Sequence, residues 1–224
     1  MAHFLSALLI AMPVAARAAT FTGGAITFND GITAPSPASQ YPSSIDVSGL
    51  GSSLSGLTLT LNSFTRSART DDVEMLLVGP TGSNLIVFSD VGGAFAAGPV
   101  NLLLSDAAAV SLPASTGLTA GTYKPTNYST TPDTFPAPAP AGPYGSAQPN
   151  GSRTFADEFS GTNPNGTWSL YIVDGAPNTG GETGSITGWS LNIIASPVPE
   201  PGAWTLFIAG AVVLLPLSSR RRVQ

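Results

Sequence analysis

Short runs in which apolar and polar residues alternate recur along this chain, and glycine and proline separate them. Residues 57–61 and 73–77 are two such runs, and the turn Gly79-Pro80-Thr81-Gly82 follows the second. Alternation with a period of two places every second side chain on the same face of a β-strand. The pattern predicts an all-β protein, a jelly-roll-like β-sandwich. Further alternating runs cover residues 168–172 and 189–193, and residues 84–88 and 100–104 are predicted to be additional strands.

A proline-rich segment, residues 112–152, interrupts this pattern. Eight prolines lie between Pro113 and Pro149, and Phe135 to Pro140 alternates proline with alanine. Loops longer than about 12–15 residues are uncommon in compact domains, so the segment is either functional or a spacer. Its tyrosines and Phe135 are apolar anchors, which predicts that it lies along the surface of the sandwich in extended conformation.

The composition excludes several kinds of active site and partner. The chain has no cysteine, and its only histidine is His3. A Ser-His-Asp triad, a Cys-His pair and a usual zinc site therefore cannot form once His3 is removed. Between residues 19 and 202, four Lys and Arg residues stand against thirteen Asp and Glu residues. Such a negative field disfavours nucleic acid and anionic lipid as partners.

The N-terminus has the pattern of a signal peptide, residues 1–18. Phe4 to Val14 is apolar but too short to span a membrane, and Ala16-Arg17-Ala18 is an A-x-A cleavage pattern. Export with cleavage after Ala18 or close to it is the prediction. Residues 19–42 are then an N-terminal strand or linker, and the sandwich proper is expected over residues 43–196.

The C-terminal residues 197–224 combine three parts in order. The motif Pro199, Glu200 and Pro201 precedes an apolar stretch over residues 203–217, and the basic cluster Arg220, Arg221 and Arg222 ends the chain. The apolar stretch is predicted to be a short transmembrane helix, with the basic cluster retained on the cytoplasmic side. This tail resembles a PEP-CTERM sorting signal, which implies transient processing by an exosortase, a membrane transpeptidase.

Three segments within residues 43–195 resemble the P domain, or Homo B domain, of subtilisin-like proprotein convertases. They are Asp71 to Gly82, Phe159 to Asp174 and Gly184 to Ile193. Many members of that family carry a histidine before the first segment, where this chain has Thr65 to Thr70. The resemblance implies a jelly-roll sandwich of about eight strands. It does not imply catalysis, since the protease triad of the convertases lies in a separate domain.

Two groups of residues are candidates for special roles. Trp168 and Trp189 are each in phase with aliphatic residues, so we expect core anchors, with a carbohydrate-stacking platform as the alternative. Asp72, Asp174 and Glu182 are candidate calcium ligands, because calcium binds carboxylates and carbonyls in oxygen-rich turns. Solvated turn acids are the alternative for these three.

The sequence as a whole favours a non-catalytic exported module of the cell surface or extracellular matrix. PEP-CTERM proteins as a class are associated with exopolysaccharide and biofilm surfaces, which makes exopolysaccharide a candidate partner. The rival hypothesis is an accessory of proteolysis that docks on or stabilises a separate secreted subtilisin-like protease.

Overall fold

The structure is a computed structural model that describes residues 16–176 and 181–196. These residues form two packed β-sheets with one α-helix and one short 3-10 helix (Thr70–Asp72), which confirms the prediction of an all-β sandwich. Among the described residues, no helix has the length and apolarity needed to cross a membrane. The predicted transmembrane helix over residues 203–217, most of the predicted signal peptide and the sorting motif lie outside the described residues.

The first sheet is built around the long strand β5 (Leu54–Arg66). The strand β14 lies between β1 and β5, and β13 continues it between β2 and β5. On its other side β5 pairs with β8, which pairs with the short β9. The bounds of these strands are β1 (Arg17–Gly23), β2 (Ile26–Asn29), β5 (Leu54–Arg66), β8 (Ala97–Ser105), β9 (Gly121–Tyr123), β13 (Thr183–Ile186) and β14 (Gly188–Ala195).

The second sheet is centred on two antiparallel neighbours, β6 and β12. The strands β3 and β4 pair with the free side of β12, and β7 pairs with the free side of β6. The two-residue strands β10 and β11 then pair with β7 in parallel. The bounds are β3 (Ser36–Pro37), β4 (Ser43–Val47), β6 (Val73–Val78), β7 (Asn84–Ser89), β10 (Thr126–Asn127), β11 (Gly145–Ser146) and β12 (Gly166–Asp174).

The strands β1 to β3 belong to the sandwich, although the sequence suggests a boundary at residue 43. Arg17 pairs with Ala195 and Gly23 with Trp189, so β1 lies along almost all of β14. Gly23 approaches the Trp189 ring so closely that a Cβ atom at this position would overlap it. The ordered sandwich therefore begins at Arg17, and a cut after Ala18 would remove the first two residues of β1.

The main core lies between the two sheets and contains both predicted tryptophan anchors. Trp168 and Trp189 are 0% exposed. Their indole N–H groups donate to the Pro164 carbonyl and to Ser43 Oγ, each over 2.9 Å. The N–H group of each indole is hydrogen-bonded and both faces of each ring are buried, so a sugar cannot reach either ring. The structure therefore places the two tryptophans as core anchors rather than as a stacking platform.

Local sequence explains the turn between β6 and β7 and the helix α1. The turn from Gly79 to Gly82 reverses the chain between β6 and β7, and Gly82 adopts a φ of +87° that favours glycine. The helix α1 (Phe155–Phe159) begins with a capping box, in which Thr154 and Asp157 bond to each other's backbone N–H. Its two phenylalanines are buried, and Phe159 packs on Trp168 at a ring distance of 5.1 Å.

Candidate functional site

The two ends of the sandwich differ in chemistry. Leu54 of β5 pairs with Ala195, and Arg66, twelve residues further on, pairs with Gly184. At about 3.3 Å per residue the ends of β5 are roughly 40 Å apart. Arg17 and Ala195 lie together at the end of the sandwich that contains Leu54, which we call the terminal end.

The opposite end, which we call the acidic end, gathers most of the negative charge. It contains eight of the twelve described Asp and Glu residues but only two arginines, Arg66 and Arg69. The acids come from strand ends and turns that the fold brings together across both sheets. They are Asp30, Asp71, Asp72, Glu74, Asp90, Asp133, Asp174 and Glu182.

Arg66 is buried at the centre of the acidic end and bonds to both sheets. Its Nη2 donates to the carboxylate of Asp174, at the end of β12, and to Asp30 Oδ1 at 3.4 Å, just beyond β2. The other guanidinium nitrogens donate to the carbonyls of Phe28 and Ala68. Arg66 and Asp174 are 0% exposed in their side chains. The guanidinium thus has a partner for each of its nitrogens, as a buried charge requires.

The three candidate calcium ligands lie at this end, but arginines take up two of them. Asp174 pairs with Arg66, and Asp72 accepts from Arg69 Nε at 2.9 Å. Glu182 hydrogen-bonds with Asp30 instead. Within residues 16–176 and 181–196, no three His, Cys, Asp or Glu side chains are grouped so that they could hold a metal ion. The structure therefore shows Asp72 and Asp174 in ion pairs with arginines and Glu182 in a hydrogen bond with Asp30.

Burial opposes the ionisation of several acids here. It raises the pKa of Asp174 to about 6, although Arg66 acts against the shift. Burial acts in the same direction on Asp30, but hydrogen bonds with Glu182 and Gly181 outweigh the effect of burial. These bonds hold the pKa of Asp30 well below its usual range. Asp30 is therefore the ionised partner of Arg66 over the whole physiological range, while Asp174 gains a proton in mildly acidic solution.

A second group of acids surrounds an open cavity beside the ion pairs. The cavity has a volume of about 320 Å³, and Glu74 and Asp133 are among its lining residues. Burial and the neighbouring charges of Asp133 and Asp90 raise the pKa of Glu74 to about 8. Burial also raises the pKa values of Asp133 and Asp71. At neutral pH the Glu74 carboxyl group is therefore mainly protonated.

The proline-rich segment packs against the second sheet through what we call the proline loop, residues 129–146. Phe135 is buried on the outer face of the sheet against Leu76, Ile86 and Tyr171. The loop is not extended throughout, because the Ala139 N–H donates to the Pro136 carbonyl and closes a turn. β9, β10 and β11 complete the attachment of the segment along the edges of both sheets.

Three tyrosine hydroxyls fix the proline loop at alternate residues. Tyr41 donates to the Pro136 carbonyl at 2.9 Å, Tyr171 to Pro138 at 3.3 Å and Tyr144 to Pro140 at 2.7 Å. Burial raises the pKa of all three phenols, so they remain donors at any physiological pH.

Sequence reasoning did not identify two features of the acidic end, the buried Arg66 and its partner Asp30. Arg66 and Asp174 are 108 positions apart, and no local pattern links them. A signal was nevertheless present, since Arg66 is one of only four basic residues between residues 19 and 202 and ends an apolar strand. The sorting residues Pro199, Glu200, Pro201, Arg220, Arg221 and Arg222 lie outside the described residues.

Comparison with known proteins gives weak structural matches. No protein-family model matches the sequence, and no curated protein matches it either. Among solved structures, the chain is similar to the serine protease of Aeromonas sobria in complex with its chaperone, with 16% identity over 80% of this chain. It is also similar to the same protease solved alone, with 13% identity over 83%. The chain covers 28% of each protease chain, and the TM-score is 0.34 in both cases.

Proposed function

We propose that this protein is an exported, non-catalytic surface module, held through its C-terminal tail and presenting its acidic end away from the point of attachment. The observation that carries the proposal is the position of Ala195, at the end of β14, beside Leu54 at the terminal end of the sandwich. Both the predicted signal peptide and the predicted sorting tail join the sandwich at the terminal end. A tether there directs the acidic end, roughly 40 Å away, toward the surroundings of the cell.

The chemistry of the chain supports a binding role rather than catalysis. The only histidine lies in the predicted signal peptide, and there is no cysteine. The purified protein is therefore expected not to cleave casein or dibasic peptides. Turnover that follows the protein through purification and disappears with a point substitution in the sandwich would overturn this part of the proposal.

Processing of the tail is the direct test of the surface role. In cells with an active exosortase, we expect intact-mass analysis to find a mature C-terminus between Pro199 and Gly202. Changing Glu200 and Pro201 to alanine should leave the tail uncut, whereas Pro197→Ala, just before the motif, should not. Recovery of wild-type protein that extends to Gln224 from such cells would contradict the proposal.

The alternative function is that of an accessory to a secreted subtilisin-like protease. Its support is the resemblance of Asp71–Gly82, Phe159–Asp174 and Gly184–Ile193 to the P domain. It predicts co-purification with such a protease and a rise in the melting temperature of the protease when the two are mixed. Normal tail processing without either effect would favour the surface role.

A further inference from the structure

The proline loop encloses a groove on the edge of the second sheet. One limb runs from Ser129 to Phe135, the other from Ala141 to Ser146, and Ile86 of β7 is at the floor between them. The groove has a volume of about 670 Å³. That value falls within the roughly 300–1,000 Å³ of small-molecule sites in proteins.

The limbs of the loop are held in place without any ligand. The tyrosine hydroxyls bond to Pro136, Pro138 and Pro140, and the Tyr144 ring meets Phe135 edge-on at 5.4 Å. Asn127 bonds to both limbs, since its amide donates to Asp133 Oδ2 in the first and to Ser146 Oγ in the second, both at 3.1 Å. A groove between two fixed walls loses little conformational entropy when it binds.

The lining combines apolar surface with neutral hydrogen-bonding groups. Prolines and the rings of Phe135 and Tyr144 provide the apolar part, and Thr130, Thr131 and Thr134 provide hydroxyls. None of the fourteen described lining residues is Lys, Arg or His. The one carboxylate, Asp133, already accepts from Asn127, from Ser89 at 3.2 Å and from Ser129, and because a carboxylate has about four acceptor positions, one is left for a hydroxyl donor.

We propose that this groove binds a neutral saccharide unit of an uncharged glycan. A sugar ring has an apolar C–H face that suits the prolines and aromatic rings, and hydroxyls that can donate to Asp133 and exchange bonds with the threonines. A uronate or sulfate would find no cation in the lining and would meet the field of the acidic end. The assignment deepens the proposed surface role by naming a ligand class, and its biological meaning rests on that role.

Binding is tested on the purified full chain in detergent, independently of sorting. The probes are neutral glucose and N-acetylglucosamine oligomers, with a galacturonate oligomer as the anionic counterpart, all titrated by calorimetry. We expect a neutral oligomer to bind and the galacturonate oligomer to bind at least tenfold more weakly, a difference of about 1.4 kcal/mol.

Two tryptophan substitutions locate the site. Ala141→Trp places a bulky ring in the groove and should weaken binding of the neutral oligomer at least tenfold. Ala137→Trp changes an equally exposed alanine of the same loop that does not line the groove, and should leave the affinity within twofold. Thr131→Val removes one lining hydroxyl at nearly constant side-chain volume and should weaken binding severalfold. This variant keeps the test valid if Ala141→Trp lowers the melting temperature of the protein.

Three results would overturn the proposal. They are no binding of any neutral oligomer at millimolar concentration, equal losses in Ala141→Trp and Ala137→Trp, and tighter binding of the galacturonate oligomer. A protein that binds the neutral oligomer as described but keeps its tail in cells would refute the surface role and not the groove. A correctly processed protein that binds no oligomer would refute the groove and not the surface role.

Discussion

At the scale of single residues, the guanidinium of Arg66 joins the two sheets at the acidic end. Asp30 follows β2 of the first sheet and Asp174 ends β12 of the second, and all three side chains are almost inaccessible to water. Desolvation of these charges is costly and is offset only while each has its partner. The network is therefore sensitive to the loss of any one member, although it adds less stability than its number of bonds suggests.

Replacing Arg66 with methionine should destabilise the fold by about 3–5 kcal/mol, because two carboxylates would remain buried without their cation. The control is Arg153→Met, which removes an ion pair with Glu158 whose arginine side chain is 56% exposed. Exposed pairs contribute about 1 kcal/mol or less. Urea unfolding at pH 7 measures both changes, and equal losses in the two variants would contradict the assigned role of Arg66.

The raised pKa of Glu74 predicts that stability falls as pH increases. The folded protein retains a proton on Glu74 up to about pH 8, whereas the unfolded chain releases it near 4.5. Between these values the folded state binds more protons, so the free energy of unfolding decreases with rising pH. Asp71, Asp133 and Asp174 are shifted in the same direction.

Glu74→Gln should reduce this dependence and raise the melting temperature at pH 9 relative to the wild type, because the glutamine cannot ionise. Glu158→Gln, in the surface pair with Arg153, should leave the pH profile unchanged. A wild-type melting temperature that is constant or rises between pH 5 and pH 9 would show that Glu74 is ionised in the folded protein.

At the scale of elements, the proline loop covers the outer face of the second sheet much as the core covers its inner face. Leu76 and Ile86 of the central strands point outward, where Phe135 and Tyr171 cover them. The carbonyls of Pro136, Pro138 and Pro140 accept hydrogen bonds from tyrosines instead of a neighbouring strand. The loop thus shields apolar surface that β6 and β7 would otherwise expose.

Changing Tyr41, Tyr144 and Tyr171 together to phenylalanine should loosen the loop, since each hydroxyl contributes about 0.5–1.5 kcal/mol. Limited proteolysis should then cut within residues 129–146 faster, while the melting of the sandwich changes less. The matched control is Tyr123→Phe, whose hydroxyl bonds to the Thr119 carbonyl at 3.1 Å in the same proline-rich segment. Unchanged cleavage in the triple variant would exclude a latching role for the tyrosines.

Strands with strict alternation could be predicted from the sequence, whereas long-range pairing could not. The runs at residues 57–61 and 168–172 lie within β5 and β12. They have a period of two because every second residue of a strand faces the core. The helix α1 was not predicted, since five residues are too few to display a helical period. Arg66 with Asp174, and Tyr41 with Pro136, meet only through the three-dimensional arrangement of the sheets.

At the scale of the whole molecule, the meeting of β1 and β14 brings the described ends of the chain together. Arg17 and Ala195 are paired neighbours, so a short linker can join them without crossing the sandwich. The turn Gly79–Gly82 joins two antiparallel strands. Chain ends can usually be moved to such turns when the original ends are adjacent.

A circular permutant that links residue 196 to residue 17 and opens between Thr81 and Gly82 should therefore fold with the far-ultraviolet circular dichroism spectrum of the sandwich. Opening the chain between Leu59 and Thr60 instead would divide β5, the central strand of the first sheet, and should prevent folding. If both permutants fold equally well, the long β5 is not the organising strand of that sheet.

The place of β14 between β1 and β5 also fixes the order of events during synthesis. Of the described strands β14 is the last to be made, so until residue 195 is complete β1 lacks its pairing strand, and β5, which pairs with β8 on its other side, lacks one of its neighbours. Completion of the first sheet thus waits for β14, because these pairings are distant in sequence. A chain whose strands stay unpaired for so long can still be threaded through a narrow channel. It is also exposed to association with other chains until β14 has been made.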